Sequence, residues 1–246
     1  MSLISRRVTV AAFLLTAACG PQGTLEVRAY LDHLPLANLE IVALSYDAQG
    51  ILDSLAQEAG EPRPEFRELE AELRAFERRD ADSIVSLHSE WVEARRRVAD
   101  LADSLSRVGP RSPGYAAAYA RFRSAYNALS RDERALEQKM REDFGGDRAL
   151  AARAAAAADS TRRWERTAFR DYATIVEGQQ QVTIRTDSLG HARVMLPKGA
   201  WWLVARRSDP GNPFMEFAWN VPVVVSPLVP VATPVSGRNV SVRWRR

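Results

Sequence analysis

Histidine and cysteine, the side chains that most often serve as metal ligands or catalytic bases and nucleophiles, are few in this chain and widely spaced. None of its histidines fits the H-E-x-x-H spacing of zinc hydrolases; they are His33, His88 and His191. Glu68, Glu70 and Glu72 alternate, and on a helix that spacing spreads them around the solvated side. The chain also lacks the G-x-S-x-G pattern and a glycine-rich phosphate loop. We therefore predict no catalytic residue, no metal ligand and no cofactor.

Two adjacent tryptophans are the best candidates for ligand binding. Trp201 and Trp202 lie in a segment with a strand pattern, so their side chains must point to opposite faces of a sheet. One ring is expected in the core and the other on the outer face. The outer ring can stack on a sugar, or it can be covered by other parts of the chain. The pattern leaves both interpretations open.

The first nineteen residues suggest export. Arg6 and Arg7 precede an uncharged run over residues 8–18, which at eleven residues is too short to span a bilayer. The run ends Leu15-Thr16-Ala17-Ala18-Cys19-Gly20, which resembles the lipobox of bacterial lipoproteins, with Thr16 where Leu is usual. The resemblance implies lipidation of Cys19. Since no Asp follows the cysteine, it also implies an outer-membrane lipoprotein facing the periplasm or the surface. The alternative is an ordinary secretory signal cleaved near Ala18.

The composition excludes several classes of protein. Of 246 residues, 46% are hydrophobic and 26% are charged, as in a folded globular chain. The 34 basic and 31 acidic residues nearly cancel, so nucleic acid is not an expected partner. The single cysteine excludes an internal disulfide bond and a cysteine-based zinc cluster.

Strand patterns occupy both ends of the chain after the signal. Residues 24–30 and 36–44 alternate and are separated by a turn at 32–35, which predicts a β-hairpin. Past Gly178 the period of two returns. Further strands are predicted over residues 182–184, 192–196, 201–205, 214–225 and 239–244. Residues 20–46 and 178–246 together predict an α+β fold with a seven-strand antiparallel β-sandwich, interrupted after its second strand.

The interruption, residues 47–177, has helical periodicity. Asp47 can cap its first helix. A heptad repeat over residues 84–108, the reversal at 109–114 and a second repeat from Tyr115 predict a coiled-coil hairpin with Arg111 and Tyr115 at its tip. A further helix follows residues 145–147. The repeat skips at 78–82, which fits either a stutter or a turn.

Two segments resemble a known family. Residues 36–44 resemble its P-L-x-G-A-x-V-x-L strand, and residues 186–205 resemble its T-D-x-x-G-x-A-x-F-x-L-P-x-G-x-Y-x-L-x-A run. Both belong to the carboxypeptidase regulatory-like, or transthyretin-like, β-sandwich. Asn38 stands where Gly is usual, and Trp202 stands where Tyr is usual. The resemblance implies an immunoglobulin-like or transthyretin-like sandwich serving as an accessory or binding module.

Three functions remain in view. The leading expectation is a non-catalytic envelope lipoprotein, anchored to the membrane at Cys19, that displays the hairpin to a protein or cell-wall partner through Arg111 and Tyr115. The second is a periplasmic adaptor resembling the membrane fusion proteins of export pumps. The third is a glycan-binding module that uses Trp201 or Trp202. The oligomeric state, the orientation of the hairpin and the identity of the partner stay open.

Overall fold

The computed structural model describes residues 21–75, 82–146, 148–209 and 212–244. These residues form a mixed α+β fold with two sheets, and all of their helices lie between the third and fourth strands. The helices are α1 (Ala48–Glu58), α2 (Arg67–Arg74), α3 (Asp82–Val108), α4 (Tyr115–Gly146), α5 (Arg148–Ala168) and α6 (Tyr172–Ile175).

The described residues form nine strands, where the sequence predicts seven. The strands are β1 (Gln22–Leu31), β2 (Leu34–Pro35), β3 (Glu40–Leu44), β4 (Gln181–Arg185), β5 (His191–Pro197), β6 (Gly199–Asp209), β7 (Asn212–Val225), β8 (Val231–Val235) and β9 (Val240–Trp244). The sequence analysis missed β2, which has only two residues. It also missed β8, which contains Pro234 and pairs in parallel with β1.

One sheet contains β2, β1 and β5, with β8 also paired to β1. The other has the order β4-β3-β6-β7-β9, and all of its pairings are antiparallel. We refer to the two sheets together as the β-domain. Apolar side chains of both sheets belong to a single buried cluster, the β core, so the sheets face each other across a common interior.

The predicted hairpin of the first two long strands is wrong. β1 and β3 alternate as expected, but they lie in different sheets. The turn at Asp32 and His33, both with positive φ, returns the chain for only two residue pairs of β1 with β2. Asn38, with φ of +54°, precedes the crossing to the second sheet. Alternation identifies the buried face of a strand and not its partner, which explains the error.

Helices α3 and α4 form the predicted antiparallel hairpin around the turn at 109–114. Each contributes a fully buried side chain every seven residues, because the same face returns to the partner helix after two turns. Together with Leu69, Leu73 and residues of α5 they form a second buried cluster, the helical core. Its members from the hairpin are Trp91, Val98, Leu105, Phe122, Leu129 and Leu136.

The hairpin is not a free rod. It packs against the β-domain, and Leu34 of β2 is a buried member of the helical core. The hairpin meets the end of the β-domain that carries Asp32, Ala37, Ser188 and Arg207, which we call the hairpin end. Gln22, the first residue of β1, lies at the opposite end. Ten residues of strand separate the two ends by roughly 30 Å.

Candidate functional site

Three polar contacts from one face of α4 join the hairpin to the β-domain. The hydroxyls of Tyr119 and Ser188 are 2.9 Å apart. One heptad later, the backbone N–H of Ala37 donates to Tyr126 Oη at 3.2 Å. After another heptad, Glu133 accepts from Arg207 at 3.0 Å. Because seven residues bring the same helix face around again, these contacts hold α4 in one register along the β-domain.

Tyr126 is half-buried at the middle of these three contacts. Burial raises the pKa of its phenol above the ordinary value, and the nearby Arg207 guanidinium acts in the opposite direction. The ring also packs 5.9 Å from that of Phe122, centroid to centroid, a member of the helical core. These contacts hold the middle of α4 against the β-domain.

A cleft of about 670 Å³ opens between the tip of the hairpin and the first sheet. Its β-domain wall comprises the end of β1, the turn containing His33, and the segment at Leu189 and His191. Its helical wall comprises the last turns of α3, the reversal at Gly109 and Pro110, and Tyr115 of α4. A volume of this size accommodates a small molecule or a short peptide segment.

Cationic and donor groups dominate the polar lining of the cleft. Arg28 and His191 are cross-strand neighbours in the first sheet, and His33 lies on the adjacent turn. Among the described residues Arg28 has no ion-pair partner. Asp103 is the one acidic side chain in the described lining. A guanidinium and two imidazoles beside a single carboxylate favour a ligand that carries a carboxylate or phosphate.

The serine hydroxyl in the cleft bonds to the backbone of its own helix. Ser106 Oγ donates to the backbone carbonyl of Asp103 at 2.8 Å, within the same helix. Among the described residues, no group of three His, Cys, Asp or Glu side chains is placed to hold a metal ion. The donors in the lining, Arg28, His33 and His191, are suited to binding an acidic group.

The predicted contacts at the hairpin tip have different environments. Arg111 is exposed in the reversal. Tyr115 is half-buried, lines the cleft and stacks on Tyr119 with ring centroids 6.1 Å apart. Tyr115 thus belongs to the wall of the cleft and continues the aromatic row along α4.

The two tryptophans point to opposite faces, as the sequence indicates. Trp201 is 2% exposed in the β core, and its Nε1 donates to the carbonyl of Pro197. Trp202 is half-buried on the outer face of the second sheet. Asn220, which shares that face, donates to Asp47 at the start of α1, so a helix begins beside it. Trp201 is therefore enclosed, and Trp202 alone reaches solvent.

The remaining predicted residue, Cys19, lies outside the described residues, as does the lipobox. Of positions 78–82, where the heptad repeat skips, only Asp82 is described, as the first residue of α3. None of the described helices combines the length and the apolar character that a bilayer crossing needs.

Sequence reasoning missed the cleft because its residues are distant along the chain. His33 and His191 are separated by more than half of the chain, and each resembles an isolated turn residue. They meet only because β1 pairs with β5 in a register that sets Arg28 opposite His191. The sequence shows that both segments are strands, and it does not show which strands are neighbours.

No family model, no curated protein and no solved structure matches this chain.

Proposed function

We propose that this chain is a non-catalytic envelope lipoprotein that binds an acidic protein or cell-wall partner in the cleft between its hairpin tip and its first sheet. In this proposal Cys19 carries the lipid anchor. The β-domain is a sandwich of the carboxypeptidase regulatory-like kind, and it holds the hairpin in place. Arg28, His33 and His191 supply the donors for the ligand, and Tyr115 forms part of the opposite wall.

The observation that carries the proposal is the unpaired Arg28 inside a cleft built by both parts of the fold. Arg28 has no carboxylate partner among the described residues, although other arginines of the β-domain do: Arg193 lies 3.9 Å from Glu26, and Arg185 lies 2.8 Å from Glu40. A guanidinium beside an open cleft can donate two parallel hydrogen bonds to the oxygens of a carboxylate.

The contact between the hairpin and the β-domain and the positions of the two tryptophans argue against the two alternative functions, a periplasmic adaptor and a glycan-binding module. An adaptor that resembles membrane fusion proteins needs a hairpin that extends away from its β-domain, whereas α4 contacts this β-domain through Tyr119, Tyr126 and Glu133. A glycan-binding site built on Trp201 is disfavoured because that ring is in the core. One built on Trp202 is disfavoured because that ring is half-buried on a face where α1 begins beside it. We therefore favour the cleft over both.

Binding can be tested with the exported form of the chain and soluble cell-wall fragments whose stem peptides end in carboxylates. Losing a hydrogen bond to a charged group costs about 1.5–3 kcal/mol, so Arg28→Ala should weaken binding roughly tenfold or more in calorimetric titrations. Arg193→Ala is the matched control, since Arg193 lies on the same strand pair but does not line the cleft. Equal affinities for the two variants would exclude the cleft as the site.

The anchor is tested separately by metabolic labelling with a fatty acid. Label should enter the wild-type chain and should be absent from Cys19→Ala. An unlabelled wild-type chain that is still exported would favour the ordinary secretory signal and would remove the lipoprotein part of the proposal.

A further inference from the structure

Three segments meet at the end of the β-domain opposite the hairpin, and we call this region the Pro21 end. The backbone N–H of Lys198, in the β5–β6 turn, donates to the carbonyl of Pro21 at 2.9 Å. Gly23 lies so close to Ser226, in the β7–β8 loop, that a Cβ at Gly23 would be 2.2 Å from the Ser226 carbonyl oxygen. The Pro21 end thus comprises residues 21–25, 195–201 and 222–231.

This end carries the most exposed large apolar side chains of the described part of the chain. Leu228 is 88% exposed, Val224 70%, Val229 63% and Met195 61%. Leu228 and Val229 occupy the tip of the β7–β8 loop, between Pro227 and Pro230. Met195 and Val224 project from the outer faces of different sheets. Single exposed apolar residues are common, but Leu228 and Val229 are adjacent at a loop tip and together form a surface that another apolar phase can cover.

The charge of the Pro21 end is equally distinctive. Its three segments contain no Asp or Glu, and their single charged side chain is Lys198, which is exposed. The remainder of the β-domain surface carries mixed charges, including the Arg193–Glu26 and Arg185–Glu40 pairs. An apolar loop beside one cation, with no carboxylate to repel anionic headgroups, is the composition expected of a surface that contacts lipid.

Chain length brings this surface close to the proposed anchor. Cys19 is two residues before Pro21, so the two Cα atoms can be no more than about 7 Å apart. We propose that the β7–β8 loop enters the membrane surface, with Leu228 and Val229 at the boundary of headgroups and acyl chains and Lys198 against anionic headgroups. The proposal rests on the proposed function in taking Cys19 as the attachment point. It orients the binding cleft away from the membrane.

The experiment replaces the fatty acid with a tether, so that its result does not depend on lipidation. The chain from residue 19, with Cys19→Ser and an N-terminal histidine tag, is held on vesicles that contain nickel-chelating and anionic lipids. An environment-sensitive dye is attached through Leu228→Cys. We expect a blue-shifted emission and strong quenching by lipids that carry quenchers in their acyl chains.

The matched control carries the dye at Val108→Cys, an exposed apolar position at the end of α3 beside the hairpin reversal. Its emission should stay that of a dye in water, and its quenching should be several-fold weaker. Equal quenching at the two positions would overturn the proposal, as would stronger quenching at position 108.

A second measurement uses the untethered chain. Leu228→Glu with Val229→Glu should lower its partitioning to the same vesicles at least tenfold, because two charges replace two apolar side chains at the boundary. Val242→Glu, on β9, is the control and should leave partitioning unchanged. A failed fatty-acid labelling experiment would remove the anchor while leaving these two results to decide the loop contact.

Discussion

The β core and the helical core of this protein are built differently. The buried members of the β core all come from the β-domain and include Trp201 and Trp219. The helical core buries one large side chain per heptad of each hairpin helix, and it includes Leu34 from β2. The β-domain therefore completes the helical core, whereas the described residues of the helices supply no buried member of the β core. We infer that the β-domain supports the helical layer and not the reverse.

The strongest test of this asymmetry removes the largest buried side chain of the β core. Trp219 is 2% exposed, and its Nε1 donates to the carbonyl of Ser236 at 2.9 Å. Trp219→Ala should lower the free energy of unfolding by about 3–5 kcal/mol. If the helices depend on the β-domain, urea denaturation should show loss of helical circular dichroism at the same lowered midpoint as loss of hydrogen-exchange protection in the amides of β6 and β7.

Trp219→Phe is the control, since it retains most of the volume and should cost less. If the helical transition of Trp219→Ala kept its wild-type midpoint, the helical layer would be stable without the β-domain, which would contradict the inferred asymmetry.

A pair of substitutions two residues apart separates the cores. Leu34 belongs to the helical core and Leu36 to the β core, and both are almost fully buried. Leu34→Ala should cost about 2–4 kcal/mol. In hydrogen exchange, its effect should be concentrated in the amides of α3 and α4, while those of β6 and β7 stay protected.

Leu36→Ala should lower protection in the strands and, through them, in the helices as well. Identical exchange patterns for the two variants would mean that the two cores behave as one cooperative unit.

Two glycines with similar φ test how closely the turn before β5 approaches β1 within the β-domain. Gly190 has φ of +74°, and a Cβ there would lie 2.3 Å from the carbonyl oxygen of Ala29. Gly178 has a similar φ of +79° but open space around it. Gly178→Ala should cost about 1–2 kcal/mol, the conformational cost alone. Gly190→Ala should lower the free energy of unfolding distinctly more, because backbone atoms must also move. Thermal melts of both variants measure the two losses, and equal losses would contradict this expectation.

The smallest expected effect lies at the contact between the two parts. Tyr126→Phe removes the acceptor of the Ala37 N–H and should cost about 1 kcal/mol at neutral pH. Burial raises the pKa of Tyr126, so the folded chain holds the phenolic proton more tightly than the unfolded chain. This stabilisation is fully present below about pH 10, the unfolded value, and is lost as pH rises through the folded pKa.

Denaturant midpoints measured from neutral to alkaline pH should therefore fall less steeply for Tyr126→Phe than for the wild type. Tyr172 also has a raised pKa, caused mainly by burial and also by its hydrogen bond with Tyr46, so part of the decline should remain. Parallel curves for the two proteins would show that Tyr126 does not contribute.

Local patterns predicted much of the helical layer and of the strand content. Asp47 caps α1 by accepting from the N–H of Gly50, the reversal falls at 109–114, and the buried heptad positions match the predicted seam. These features depend on residues within one or two helical turns of each other, so sequence spacing contains them. The strand β8 escaped notice because Pro234 and its parallel pairing give no local signal of a strand.

The cleft was not predictable in the same way. His33 and Arg28 become neighbours of His191 through strand pairing, and Tyr115 reaches them through the docking of α4. The sequence indicated Tyr115 as a tip residue, and it left the orientation of that tip relative to the β-domain open. Tyrosine in a heptad repeat fits both a coiled-coil seam and a docking face, and only the arrangement of the whole chain distinguishes the two.

The sequence by itself determined where the longer helices and strands form and which of their faces are buried, because those properties follow from the periodicity of apolar side chains along a few residues. The tertiary structure alone decided that β1 and β3 lie in different sheets, that the hairpin packs on the β-domain, and that the Pro21 end is left bare. Those outcomes depend on contacts between segments far apart in the chain. The free energy of such a contact depends on how the neighbouring side chains pack, which the local sequence does not specify.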